Sequence, residues 1–173
     1  NVVPVESSDE VVRWKRLLIG VLTTVQADVF NVLAECERDA CDVQVLDRAM
    51  TLARQRFARV PAGQLTDVQA KREFINAALN RPLRICGVVR NEGEPGGAPF
   101  WVTGGDGETS AQIVESSQVN TRDTRQAEIF NSSTHFNPVD LVCGMKNWRD
   151  EPFDLHRFVD PSTVFFASKS HLG

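Results

Sequence analysis

Residues 81–101 read RPLRICGVVRNEGEPGGAPFW, and a change of pattern inside this stretch decides the fold. Residues 83–89 form a short, mostly apolar run carrying Gly87, bounded by Pro82 and Arg90. Such a run predicts a buried strand. The chain then passes into NEGEPGG and closes on Phe100, Trp101 and Val102. Glycines let backbone N–H groups come close to a ligand and permit positive φ. Glu92 and Glu94 suit a cation or a sugar hydroxyl. The ordinary alternative is a solvated turn between two strands.

Upstream of Pro82 the spacing is helical. Ser7, Ser8 and Asp9 are N-cap candidates. Val11, Trp14, Leu18, Val21, Val25 and Val29 then recur on one face, which predicts a long amphipathic helix ending near Arg38. A second helix follows Asp42, with Leu46, Met50, Ala53 and Phe57 on one side. A third is expected from Thr66, with Gln69 completing a capping box, and stops at Asn80. Residues 7–80 therefore read as a helical segment and 81–173 as a strand-rich one, both within one partial domain. Arg54, Arg56, Arg59, Lys71, Arg72 and Arg81 make the middle of the chain basic. A solvated face is the ordinary reading of such a cluster, and a phosphate-facing patch is the alternative.

Downstream, residues 83–90, 99–103, 109–115 and 139–144 are expected to be strands sharing one sheet or two abutting sheets. Gly104, Gly105, Asp106 and Gly107 supply a hairpin turn. Asp123 is placed to cap a short helix over 124–130, and residues 154–158 predict a helical turn. Residues 1–5 read as the end of a strand, and 164–167 as a last apolar run. Helices followed by strands predict mixed α and β structure.

The totals narrow the function. The chain has 173 residues and a formal net charge of −4, with a pI near 5.4. That balance argues against a general nucleic-acid binder. No apolar run is read as approaching the length of a membrane span, so no membrane partner is expected. Cys36, Cys41, Cys86 and Cys143 are scattered, and only His135, His156 and His171 accompany them. No pair has zinc-ligand spacing, no metal site is expected in this chain, and reduced thiols in a cytoplasmic protein are the default.

Candidate chemistry gathers at strand ends, where loops of α/β sheets bind ligands. Asn91, Glu92 and Gly93 follow the first strand, Glu115 ends the third, and His135 and Asn137 precede the fourth. Glu115 suits ribose or sugar hydroxyls, Asn137 a hydroxyl or phosphate oxygen, and His135 a phosphate. Each also has an ordinary structural reading. Asn before Pro makes an Asx-type turn, and a lone His is commonly a structural hydrogen-bonder. GEPGG lacks the marks of a Walker motif or a dinucleotide fingerprint.

The strings RPLRICGVVRNEGEPGGAPFWV, QIVESSQV, THFNPVDLVCG and FDLHRFVDP closely resemble the bacterial domain of unknown function 4301 family. The likeness covers nearly the whole chain and is weakest over 36–80. It implies that the chain is a middle piece of a longer protein. That family is in turn similar to nucleotide-sugar pyrophosphorylases, which implies a mixed-sheet, nucleotide-diphospho-sugar-transferase-like fold with a helical N-terminal portion. Ile113 to Ser117 stand where pyrophosphorylases carry V-V-E-Y-S, and His135 to Asp140 where they carry F-N-x-N. Ser116 departs from the first pattern and Asp140 from the second.

The resemblance implies a nucleotidyltransferase-like protein acting on a nucleotide or sugar phosphate, with Asn91, Glu92, Gly93, Glu115, His135 and Asn137 on the substrate. Mg²⁺ is the cofactor expected of the longer protein and none is expected in this piece, which should be inactive alone and prone to self-association. A non-catalytic binder or scaffold of the same fold is the competing reading. A regulatory helical module over 7–80 is a third.

Overall fold

The computed structural model describes residues 8–38, 42–94 and 96–163. The expectations for residues 1–5, for Cys41 and for 164–167 fall outside these.

Three helices form one body. Helix α1 spans Ser8–Cys36, α2 Val43–Phe57 and α3 Val68–Leu79. Val25, Val29 and Leu33 of α1 meet Leu46, Ala49 and Ala53 of α2 and Phe74, Ile75, Ala78 and Leu79 of α3 in a single apolar cluster. Leu46 and Ile75 are its most completely buried large side chains, each contributing roughly 1.5–3 kcal/mol through burial. Asp42 caps α2, its carboxylate accepting from the Gln44 amide at 3.2 Å. The capping expected at Thr66 falls instead to Asp67, whose carboxylate accepts from the Ala70 amide at 2.8 Å. Gln69 turns away and donates to Glu73. A carboxylate is the stronger partner for an exposed helix N-terminus, which moves the start of α3 by one residue.

Helix α1 is also long and apolar enough, by length and composition, to cross a membrane. That corrects the sequence reading. Asp28 alone interrupts the uncharged residues between Arg16 and Glu35, so the stretch as a whole stays apolar. The C-terminal half of α1 packs on α2 and α3. Trp14, Leu17 and Val21 in the other half stay exposed.

The strands are β1 (Leu83–Cys86), β2 (Val89–Arg90), β3 (Ala98–Thr103), β4 (Thr109–Val114), β5 (His135–Phe136) and β6 (Leu141–Gly144). A helix α4, Thr124–Asn131, stands between β4 and β5 with its amides on the Asp123 carboxylate. In place of the expected one sheet or two abutting sheets, the described residues form three two-stranded sheets, β1–β6, β2–β5 and β3–β4, all antiparallel. The result is a mixed helix-and-sheet chain with small antiparallel sheets.

The expected strand over 83–90 is thus divided into β1 and β2, for a local reason. Cys86 faces Leu141, and three residues later Val89 faces Phe136, five residues back. The opposing chain carries two extra residues, a bulge at Pro138 and Val139. Pro138 has no N–H for a ladder, and Val139 sits at φ 66°. The strand expected from Val139 therefore begins at Leu141.

Helix α1 lies on the β1–β6 ribbon, and Gly144 lets Gln26 come directly against the β6 backbone. Lys15 and Asp140, 3.0 Å apart, join α1 to the bulge.

Candidate functional site

The loop leaving β2 is tied down at both ends. At its start, the Asn91 amide donates to the Thr134 carbonyl at 3.0 Å, extending the β2–β5 pairing by one residue. At its end, the Gly97 carbonyl accepts from the Asn137 amide at 2.7 Å. Between these anchors the loop bonds to itself. The Asn91 side-chain oxygen accepts from the Gly93 amide at 2.9 Å, and a Glu94 carboxylate oxygen accepts from the Glu92 amide at 2.8 Å. Gly93 takes φ 116°, a conformation that favours glycine.

Glu115 closes β4 against the same loop. A Cβ on Gly97 would stand 2.7 Å from Glu115 Oε1 and 2.8 Å from Ile113 Cγ2. Gly97 therefore has no room for a side chain, and the half-buried Glu115 carboxylate rests over the loop backbone. The Glu115 amide donates to Gln118 Oε1 at 2.9 Å, which fixes the short 3₁₀ turn Ser116–Gln118.

Asn137 is 7% exposed and is the buried polar residue of the described core. Its Nδ2 donates to the Gly87 carbonyl at 2.5 Å, and its Oδ1 accepts from the Val139 amide at 3.1 Å. These bonds close the bulge and make the Asx turn, so the side chain is held by the scaffold. His135 is exposed and lies opposite Arg90. Its Nδ1 stands 2.9 Å from Thr134 Oγ1.

Asn91, Glu92, Gly93, Glu115, His135 and Asn137 thus flank one loop and its two anchors. Their duties divide. Asn91 and Asn137 shape the loop, while Glu92 and His135 are exposed at its rim and Glu115 rests on it. Asn137 fits the turn role expected of Asn before Pro; the bond to Gly87, fifty residues away in the chain, has no sequence signal. Among the described residues no group of three or more His, Cys, Asp or Glu side chains could hold a metal ion.

A second polar grouping was not singled out from the sequence. Arg59, Arg81, Arg84 and Lys146 line one cleft between the helices and the ribbon. Arg59 and Arg81 belong to the basic run noted above, while Arg84 and Lys146 join them only through folding. Burial, and next Arg59 beside it, lower the Arg81 guanidinium pKa; Glu108 raises it. Near the same cleft, burial pushes the Cys86 thiol up, Arg84 pulls it down, and Cys143 adds a smaller upward push.

Residues 1–173, the whole chain, match the model of a family described as "Domain of unknown function (DUF4301)", and the chain belongs to that family. No curated protein and no solved structure matches it.

Proposed function

We propose that the chain is the acceptor-side portion of a nucleotidyltransferase-like protein of the nucleotide-sugar pyrophosphorylase kind. In that reaction a sugar-1-phosphate oxygen attacks the α-phosphate of a nucleoside triphosphate and pyrophosphate leaves. The chain's part is to hold the sugar phosphate or nucleotide in line, because this chemistry depends on positioning and on neutralising charge. The observation that carries the reading is the arrangement at Gly97, where a glycine-rich loop is anchored by the Asn137 amide and passes close under the Glu115 carboxylate.

Glu115 and Glu92 accept hydroxyl hydrogens of the sugar, and His135 meets a phosphate oxygen from the rim. Asn91 and Asn137 act as positioning residues. Such reactions take Mg²⁺, and the described residues offer no cluster of three or more His, Cys, Asp or Glu side chains to hold it.

A second reading, a non-catalytic binder of the same ligands, is favoured by one observation. Both polar atoms of the Asn137 side chain are already engaged by the scaffold. Turnover assays of the chain within its longer parent, with nucleoside triphosphates, sugar 1-phosphates and Mg²⁺, separate the two. Pyrophosphate release that falls about tenfold or more in Glu115→Gln supports the enzyme. Binding without release supports the binder, and neither binding nor release refutes both.

A further inference from the structure

A cleft of about 540 Å³ opens where the C-terminal ends of α2 and α3 meet α1, β1 and β4. That volume is in the range of small-molecule sites. Its walls are of two kinds. Phe57, Leu79 and Phe158 make an apolar side, and Arg59, Arg81, Arg84 and Lys146 bring four cationic side chains to it. No aspartate or glutamate lines it among the described residues, although the chain as a whole carries a net charge of −4.

The four cations are unequally compensated. Lys146 Nζ is 2.8 Å from Asp150 Oδ1, and Arg59 Nη1 is 3.7 Å from Glu108 Oε2. Arg81 and Arg84 make no ion pair with any described residue. Arg81 instead places its guanidinium over the Phe158 ring, 5.7 Å from the centroid. Burial and a neighbouring cation both disfavour the charge of a guanidinium, and an entering anion offsets that cost. Arg81 is so placed: burial first, and then Arg59 beside it, lower its pKa, and Glu108 partly offsets them. Planar guanidiniums match phosphate oxygens two at a time, and apolar walls suit the body attached to such a phosphate.

We infer that this cleft binds a phosphate monoester with an aromatic or other apolar body, its phosphate on Arg81 and Arg84 and its body against Phe57 and Phe158. The site shares no residue with the loop at Gly97, and the inference does not depend on the nucleotidyltransferase reading.

Titration calorimetry of the 173-residue chain with phenyl phosphate and with inorganic phosphate at low salt tests it. The expected result is one saturable site, with phenyl phosphate bound about tenfold more tightly than free phosphate because its ring reaches the apolar wall. Arg84→Gln, on an exposed strand position, should weaken both by about tenfold or more through the lost charge-assisted bonds, with an unchanged circular dichroism spectrum. Arg54→Gln, at an exposed cation of α2 outside the cleft, should leave both unchanged, separating this site from general charge attraction. Equal affinity for the two probes would limit the site to free phosphate and overturn the role of the apolar wall. The absence of saturable binding, or undiminished binding by folded Arg84→Gln, would overturn the site itself.

Discussion

The Asn137 side-chain amide donates to the Gly87 carbonyl at 2.5 Å, at the point where the ladder between β1–β2 and β5–β6 changes register. One buried residue thereby spans a two-residue bulge and orders the Val139 turn with its side chain, and anchors the loop end at Gly97 with its backbone N–H. The candidate site is built outward from this pair.

Asn137→Ala should destabilise the chain by about 2–3 kcal/mol, because it removes two side-chain bonds and leaves the Gly87 carbonyl without this donor. Asn137→Asp should cost at least as much near neutral pH, since a carboxylate keeps the acceptor for Val139 and cannot donate to Gly87. Urea unfolding followed by circular dichroism measures both. Equal stability of wild type and Asn137→Ala would show that the bulge holds without this bond.

Val139 is an exposed β-branched residue at φ 66°, where branched side chains are strained. Val139→Asn should stabilise the chain by about 1 kcal/mol, because Asn tolerates the left-handed region and little packing is lost. A higher thermal midpoint is the expected outcome. A lower one would mean that Val139 makes contacts worth more than its strain.

The N-terminal half of α1 exposes Trp14 at 54% and Leu17 at 55%, with Val21 on the same stripe. Such a stripe favours association. Sedimentation velocity of the 173-residue chain should show a concentration-dependent shift to larger species, abolished by Leu17→Glu. A single monomeric boundary at every concentration would contradict it.

What the sequence disclosed, and what it concealed, follow from the range of the interactions. Helical periodicity and the carboxylate caps are local, so α2 was legible from Asp42 to Phe57, and Asp123 from its position before α4. The Thr66 start was one residue early because Thr and Asp both cap, and only the fold selects Asp67. Residues 83–90 look like one strand because their break is imposed from the opposite chain, by Pro138 and Val139, and not by their own composition. The loop and Glu115 stood out by residue type. Their meeting at Gly97 depends on the β3–β4 register, which pairs Ala98 with Val114 and so brings their neighbours together. The Arg81–Arg84 cleft was half visible as a basic run. Its apolar wall and its lack of lining acids are facts of packing.

The central claim is that the loop held between Glu115 and Asn137 receives a sugar phosphate, and amide chemical shifts of the ¹⁵N-labelled chain test it most directly. On titration with a hexose 1-phosphate, the amides of Gly93, Gly97 and Glu115 should move together along one saturable curve. In Glu115→Gln the same amides should move only at about tenfold higher ligand concentration, the loss expected for a hydrogen bond to a charged group. Shifts confined to the cleft around Arg81 and Arg84, with Gly93, Gly97 and Glu115 unmoved at saturation, would contradict the account.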